Sequence, residues 1–377
     1  MWVQTTSNKF FNIVGCAYNA CLFDKKVVQL TLAYSASAYL VVGDIRTLKK
    51  ELMPPKYLLM LAYYFPPMGG AGVQRALKFV KFLPDFGWLP VILTTDQRYA
   101  TLLDPTLETE IPPSVKIYRT TALIMSARLP WRLRSFISRW LLVVDEQLGW
   151  FPFAVSKGHQ LIEKYKPDVI FSTSAPYTDH LIALHLTKKW QIPWIADFRD
   201  PWIGNFNLRF PTKLHAAFTS GLERKIMMKA DLVTVVNDAM KKDLIRRYPL
   251  LDQNKFVTIP NGYDHQDFKR DTSIEISRDK FIITYTGSFY ADTLRPDNFL
   301  LSLRNLIDRK VISQDKLMVL FVGNIDKRVQ RMITSSGLDH VARIVGYLDH
   351  RSSIGYLLSS NLLLRSEERR VGKECVS

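Results

Sequence analysis

The chain has 377 residues, 47% of them hydrophobic, enough for two domains that each bury a core. Its 51 Lys and Arg against 35 Asp and Glu leave a net charge of +16. That excess fits an anionic partner such as nucleic acid, nucleotide-sugar phosphates or an acidic membrane, or is simply a basic surface. The three cysteines, Cys16, Cys21 and Cys375, lie near the ends, which excludes a disulfide scaffold or a cysteine zinc site between Met53 and Leu364 and suits a cytoplasmic setting.

Met1 to Leu52 shows no clean helical or strand period, so residues 1–52 read as an N-terminal extension, either a wrongly chosen start or a peripheral helix. Val27 to Gly43 is apolar but interrupted by Gln29, Thr31, Ser35 and Ser37, and is shorter than the ~20 residues of a membrane-spanning helix. Organised structure begins at Met53. Short apolar runs then alternate with helical stretches, the pattern of βαβ units and parallel sheets.

Strands are predicted at Tyr57–Tyr63, Leu89–Thr94, Val115–Arg119, Asp168–Ser172, Trp194–Ala196, Leu232–Val236 and Phe256–Ile259. Helices are predicted at Gly72–Leu83, Pro152–Tyr165, Asp179–Lys189, Thr212–Lys229 and Asp238–Tyr248. Together they make a doubly wound, Rossmann-like domain over residues 53–265. Asp271 to Lys280 is charged, lacks a strand pattern and reads as a linker. A partial second Rossmann-like domain follows over 281–364, with strands at Phe281–Tyr285, Leu317–Val322, Ala342–Val345 and Leu362–Leu364. Its helices are predicted at Asp297–Asp308, Arg328–Ser336 and Ser353–Ser359.

Several motifs follow the strands, where open α/β sheets bind ligands. After the first strand, Pro66-Pro67 leads into Gly69, Gly70 and Gly72 and then a helix. Glycines there let backbone approach a ligand closely, and the helix N-terminus suits a phosphate or a sugar hydroxyl. The rival is a dinucleotide fingerprint, with Asp96 as the ribose acid. Arg75 at the third glycine position opposes it, because a bulky side chain there works against tight helix–strand packing.

Asp197-Phe198-Arg199-Asp200-Pro201-Trp202 follows the fifth strand. Asp197, Arg199 and Asp200 are the catalytic candidates, two carboxylates around a cation that can position sugar hydroxyls or steady a cationic transition state. The same residues read equally well as a buried ion pair fixing the loop. A hydrolase using the two carboxylates as acid and base fits less well, since such groups face each other across ~5–9 Å from separate elements. Ser174 and Tyr177, within Ser172–Tyr177, suit hydroxyl recognition or a turn into a helix cap. Asn261-Gly262 is a turn that can also line a cleft. Gly287 and Ser288, with Arg295 beyond them, form a strand–turn–helix start that suits a diphosphate, and Lys327 and Arg328 add positive charge.

Ile124 to Leu142 interleaves Arg128, Arg132, Arg134 and Arg139 with Trp131, Phe136 and Trp140. It reads as an interfacial helix on an anionic membrane or, equally, as an ordinary packing helix. The histidines form no metal-ligand spacing, and no Walker loop, Gly-x-Ser-x-Gly elbow or nucleic-acid module is present.

Taken in order, YYFPPMGGAGVQR, ADFRDPW, VTIPNGYD and YTGSF resemble the family 4 glycosyltransferases of the GT-B fold, most of all bacterial enzymes of cell-surface polysaccharide assembly. The likeness covers Met53 to Leu364. It implies a nucleotide-sugar donor held mainly by the second domain, a glycan or lipid-linked acceptor held mainly by the first, and transfer with retention and without a metal or other cofactor. By analogy Gly69, Gly70 and Gly72 approach the donor phosphate, while Ser288 and Arg295 flank the diphosphate. Ser288 stands where the family often has arginine. The alternatives are a sugar- or membrane-binding fragment and a nucleotide-sugar epimerase. The expected location is the cytoplasm, with a peripheral position on the inner face of the plasma membrane as an extension of that reading.

Arg365 to Cys375 reads RSEERRVGKEC, which resembles the translation of a sequencing-adapter oligonucleotide, so residues 365–377 are expected to be an artefactual tail. The family's Glu-x7-Glu donor stretch is absent after Leu364, and the chain as written is expected to be inactive.

Overall fold

The computed structural model describes residues 55–123, 130, 144–205, 210–269, 274, 276–277, 279–289 and 295–365. The N-terminal extension, the Ile124–Leu142 segment apart from Pro130, and the tail beyond Arg365 lie outside the described residues, as does half of the linker. The chain divides into two compact units, Met1–Asp264 and His265–Ser377.

In the first unit seven parallel strands form one sheet in the order β3-β2-β1-β4-β5-β6-β7. They are β1 Lys56–Leu61, β2 Trp88–Thr95, β3 Lys116–Thr120, β4 Val169–Ser174, β5 Trp194–Phe198, β6 Leu232–Val235 and β7 Phe256–Thr258. Helices α1 Ala71–Phe82, α2 Phe151–Tyr165, α3 Thr178–Trp190, α4 Lys213–Lys229 and α5 Asp238–Arg247 connect them. β1 is buried on both faces, as its unbroken apolar run requires of a central parallel strand. Its side chains alternate. Leu58 and Met60 pack with Ala76, Phe79 and Val80 of α1, while Leu59 and Leu61 join Ala154, Ile182 and Ile226 from α2, α3 and α4 on the opposite face. Strand order reverses between β1 and β4, so the ligand crevice of a doubly wound sheet is expected outside their carboxyl ends.

Two helix starts of the first unit carry side-chain caps. Thr212 caps α4 through the N–H of His215, and Asn237 caps α5 through that of Met240. α3 begins differently. Tyr177 supplies no side-chain cap, and the Thr178 N–H donates instead to Asp145 Oδ2 at 2.9 Å.

The second unit holds four parallel strands in the order β10-β9-β8-β11: β8 Phe281–Thr286, β9 Leu317–Val322, β10 Ala342–Gly346 and β11 Leu362–Leu363. It also holds α6 His265–Lys269, α7 Asp297–Asp308, α8 Lys327–Ser335 and α9 His350–Leu358. Ile283, Tyr285, Val319 and Phe321 of the sheet pack against Leu300 and Leu303 of α7 and Val329 and Ile333 of α8. The architecture is α/β and GT-B-like, with two parallel sheets as expected.

Most strand ends differ from expectation by one or two residues, and two of these differences bear on the site. β4 runs on to Ser174 and β5 to Phe198, so Thr173, Ser174 and Asp197 are strand residues rather than loop residues. The register explains why polar side chains are tolerated there. Thr173 pairs with Asp197, and Asp197 with Thr234, which sets three polar groups side by side to satisfy one another.

Candidate functional site at the carboxyl edge of the first sheet

Asp197 is fully buried at the centre of this edge. Its Oδ1 accepts from Arg75 Nη2 at 2.8 Å and Thr234 Oγ1 at 2.6 Å, and its Oδ2 from Arg75 Nε at 3.0 Å and Thr173 Oγ1 at 2.8 Å. Burial by itself raises the pKa of this carboxyl, but the Arg75 charge and the four donors more than offset it and hold the group below the usual range. Arg75 Nη1 reaches on to the Pro260 carbonyl at 3.1 Å and Asn261 Oδ1 at 3.2 Å. One ion pair therefore ties α1, β5 and the Asn-Gly turn together. Arg75, whose position in the sequence marks it as an obstacle to tight helix–strand packing, is instead the tie between α1 and β5.

Arg199 is the second knot. Its Nε donates to the Ser174 carbonyl at 2.6 Å, and its two terminal nitrogens donate to the carbonyls of Gly72 and Ala175. The planar guanidinium fork holds the three carbonyls in one fixed geometry, which a freely rotating ammonium does not impose. This clamp joins the first turn of α1 to the β4–α3 loop across the strand-order reversal. Asp200, the third catalytic candidate, is exposed.

The glycines occupy the loop that enters α1. Gly70 is the residue before the helix, with φ +92°, where a side chain is strained. Gly69 donates its N–H to the Leu102 carbonyl at 2.9 Å. A Cβ on Gly72 would meet Arg199 Nη1 at 3.7 Å, an ordinary contact. Arg119 Nη2 donates to the Pro66 carbonyl at 2.6 Å, which secures the proline end of the loop.

Ser174 and Tyr177 are both buried, which places neither side chain at an open surface for hydroxyl recognition. Tyr177 stacks on Trp202 at 4.6 Å, and its hydroxyl donates to the Pro201 carbonyl at 2.9 Å. Burial raises its pKa. Asn261 is exposed and spends its Oδ1 on Arg75.

Sequence reasoning missed a buried polar group beside this edge. Asp179 Oδ2 accepts from the Tyr63 N–H at 3.0 Å, while Oδ1 is buried with no hydrogen-bond partner. Desolvation, reinforced by the nearby Asp145 charge, raises the Asp179 pKa well above normal. His180 is buried beside it. Its Nδ1 meets Ser172 Oγ at 2.7 Å, and burial pushes its pKa down to about 3. Ser172 Oγ also accepts from Trp194 Nε1 at 2.8 Å. The available signal was an Asp-His pair in the first turn of a helix that directly follows a buried strand.

In the second unit, Gly287 has φ +145° and Gly323 φ +139°, at the carboxyl ends of β8 and β9. A Cβ on Gly323 would lie 1.9 Å from the Gly287 carbonyl oxygen, so the two turns touch backbone to backbone. Gly287 donates to the Val322 carbonyl at 2.9 Å, and the Ser288 carbonyl accepts from Tyr285 Oη at 3.2 Å. Arg295 is exposed and paired with Asp297 at 2.7 Å. Lys327 and Arg328 open α8, also exposed.

Residues 105–267 match the model of Glycosyltransferase Family 4. No curated protein matches the chain in sequence. Among solved structures, the chain is similar to Anabaena Alr3699/HepE in complex with UDP and glucose, with TM-score 0.55 and 14% identity over 82% of this chain and 73% of that one. It is also similar to a mutant of S. aureus TarM in complex with Fondaparinux, alpha-GlcNAc-glycerol and UDP, with TM-score 0.53 and 11% identity over 82% and 80%. A third is a UDP-N-acetylglucosamine 2-epimerase, described as putative, from Listeria monocytogenes, with TM-score 0.50 and 12% identity over 82% and 73%. At these identities the likeness is one of fold.

Proposed function

We propose that this chain, whose residues 105–267 match the model of Glycosyltransferase Family 4, is built to move a sugar from a nucleotide-sugar donor to a glycan or lipid-linked acceptor. The observation that carries the reading is the family match itself, because it spans β3 to β7 and so includes Asp197, Arg199, Ser174 and Tyr177.

The donor's nucleotide diphosphate belongs, in this reading, to the second unit. The turns after β8 and β9 are glycines at positive φ, and the cations of Lys327 and Arg328 stand at the start of α8 to offset phosphate charge. The complexes of HepE with UDP and UDP-glucose support a uridine nucleotide as the first candidate. The acceptor belongs to the first unit, where Arg199 fixes the β4–α3 loop and Asp200 is the exposed carboxylate. Asp197 serves as a positioning residue through Arg75. Such a site orients a hydroxyl against an anomeric carbon and stabilises the departing diphosphate, with retention and without a metal.

Calorimetric titration of the chain with UDP, UDP-glucose and ADP tests the donor half. Binding of UDP that is weakened in Lys327→Glu/Arg328→Glu, two exposed positions, supports it, and no binding of any nucleotide overturns it. Incubation with the nucleotide-sugar alone separates the epimerase reading. Conversion of donor to its epimer without an acceptor favours that reading, and acceptor-dependent UDP release favours transfer.

A further inference from the structure

α4 carries a face that the packing of the first unit does not use. At about 100° per residue, Ala217, Met228, Gly221, Leu214 and Phe218 fall in one stripe along the helix. Leu214 is 80% exposed, Phe218 57% and Met228 56%, more than chance surface hydrophobes on a single helix. The opposite face, with Thr219, Glu223, Ile226 and Met227, is buried in the unit.

The charges around the stripe have one sign. Lys213 and Arg224 border it on one side, Lys229 on the other, and Lys225 lies between Leu214 and Phe218; all four are exposed. Glu223 is the helix's only carboxylate, and it is turned inward. It accepts from Tyr248 Oη at 2.7 Å and the Ile203 N–H at 2.9 Å and pairs with Arg247. Asp231, just past the helix, turns its Oδ2 onto the Trp194 N–H at 2.8 Å. Lys255 adds a cation at the helix C-terminus by donating to the Met228 carbonyl at 3.2 Å.

We propose that α4 docks the first unit onto an anionic lipid bilayer, with Leu214, Phe218 and Met228 entering the headgroup–acyl boundary and Lys213, Arg224, Lys225 and Lys229 meeting lipid phosphates. An apolar stripe flanked only by long cationic side chains matches that boundary, because the stems lie along the apolar layer while the charged ends reach the phosphates. The helix is about 25 Å long, enough to lie in the plane of the interface. It is too polar to cross, and among the described residues no helix is long and apolar enough to do so. The proposal is independent of the transferase reading and holds or fails without it.

The test is co-sedimentation of the full chain with vesicles of phosphatidylcholine, with and without phosphatidylglycerol, alongside sedimentation velocity without lipid. The proposal expects binding only to the phosphatidylglycerol vesicles, weakened by salt and weakened on the order of tenfold or more in Leu214→Ser/Phe218→Ser. Lys225→Glu/Lys229→Glu should weaken it in the same direction. All four positions are exposed, and far-ultraviolet circular dichroism checks that each variant folds. No binding to anionic vesicles overturns the proposal. So does binding that both variants retain, which would move the contact to another surface such as residues 124–142. A dimer that Leu214→Ser/Phe218→Ser dissolves, in a chain that ignores lipid, overturns it in favour of a second copy of the chain.

Discussion

Arg75 and Asp197 meet fork to fork, Nη2 to Oδ1 at 2.8 Å and Nε to Oδ2 at 3.0 Å, although 122 residues separate them in the chain. The pair is buried, and Thr173 and Thr234 each donate to one of the two carboxylate oxygens. It links the first helix of the unit to the strand that leads into Arg199, and so sets how far the glycine loop stands from the β4–α3 loop.

Removing one partner alone should therefore be costly. Asp197→Ala strands a buried guanidinium and should lower stability by about 3–5 kcal/mol, since breaking a buried pair leaves an uncompensated charge. The double change Arg75→Met/Asp197→Leu should recover much of that loss. Urea denaturation of both single variants and the double variant checks it. Full additivity of the single losses would mean that the two side chains do not act as a pair.

His180 gives the fold an acid-sensitive term. Its folded-state pKa is depressed to about 3 by burial, below the ~6.5 of an exposed imidazole. Its contribution is thus present above pH ~6.5 and is lost as pH falls from there towards 3. His180→Asn keeps a polar group near the Nδ1 position but loses ring packing against Phe198, 4.3 Å away. The variant should be less stable at pH 7 and show a shallower fall between pH 6 and 4, by about 1.4 kcal/mol per pH unit. Denaturation midpoints across that range measure the slope, and parallel curves would show that His180 is not the titrating group.

Asp179 works in the opposite direction. Desolvation raises its folded pKa, so the protonated form is favoured in the fold. That contribution is complete below the ordinary carboxyl range and is lost as pH rises through the raised value. Asp179→Asn keeps a carbonyl for the Tyr63 N–H and removes the cost of a buried charge. The variant should be more stable than the native chain at pH 8, with the gap closing towards pH 4. Thermal midpoints at the two pH values decide it, and a destabilised variant at pH 8 would mean that the ionised carboxylate has a role there.

The strands were legible because each is a short apolar run bounded by turn residues, and β9 and α7 match their expected bounds residue for residue. The doubly wound architecture followed from their alternation with helices. Asp197 and Ser174 were misplaced into loops because a polar residue reads as the end of a strand unless its partners are known. The partners of Asp197, which are Thr173, Thr234 and Arg75, come from three other elements. Asp179 and His180 read in sequence as the start of a helix, and their one local signal, an Asp-His pair directly after a buried strand, does not say which groups they meet. Gly323 was passed over for the same reason: its need for no side chain arises from the Gly287 carbonyl of a different turn.

The two glycines at the start of α1 should separate strain from ligand approach. Gly70 has φ +92°, and Gly70→Ala should cost about 1–3 kcal/mol of stability through backbone strain alone. Gly72 meets only ordinary contacts, the nearest at 3.7 Å, so Gly72→Ala should stay within about 0.5 kcal/mol of the native chain. If a sugar or phosphate approaches the helix N-terminus closely, the added methyl at position 72 should weaken that ligand while leaving the thermal midpoint almost unchanged. Calorimetry for binding and scanning calorimetry for stability, run on both variants, read the two effects apart. A Gly72→Ala chain with unaltered affinity for every nucleotide and acceptor tried would move the ligand away from this loop.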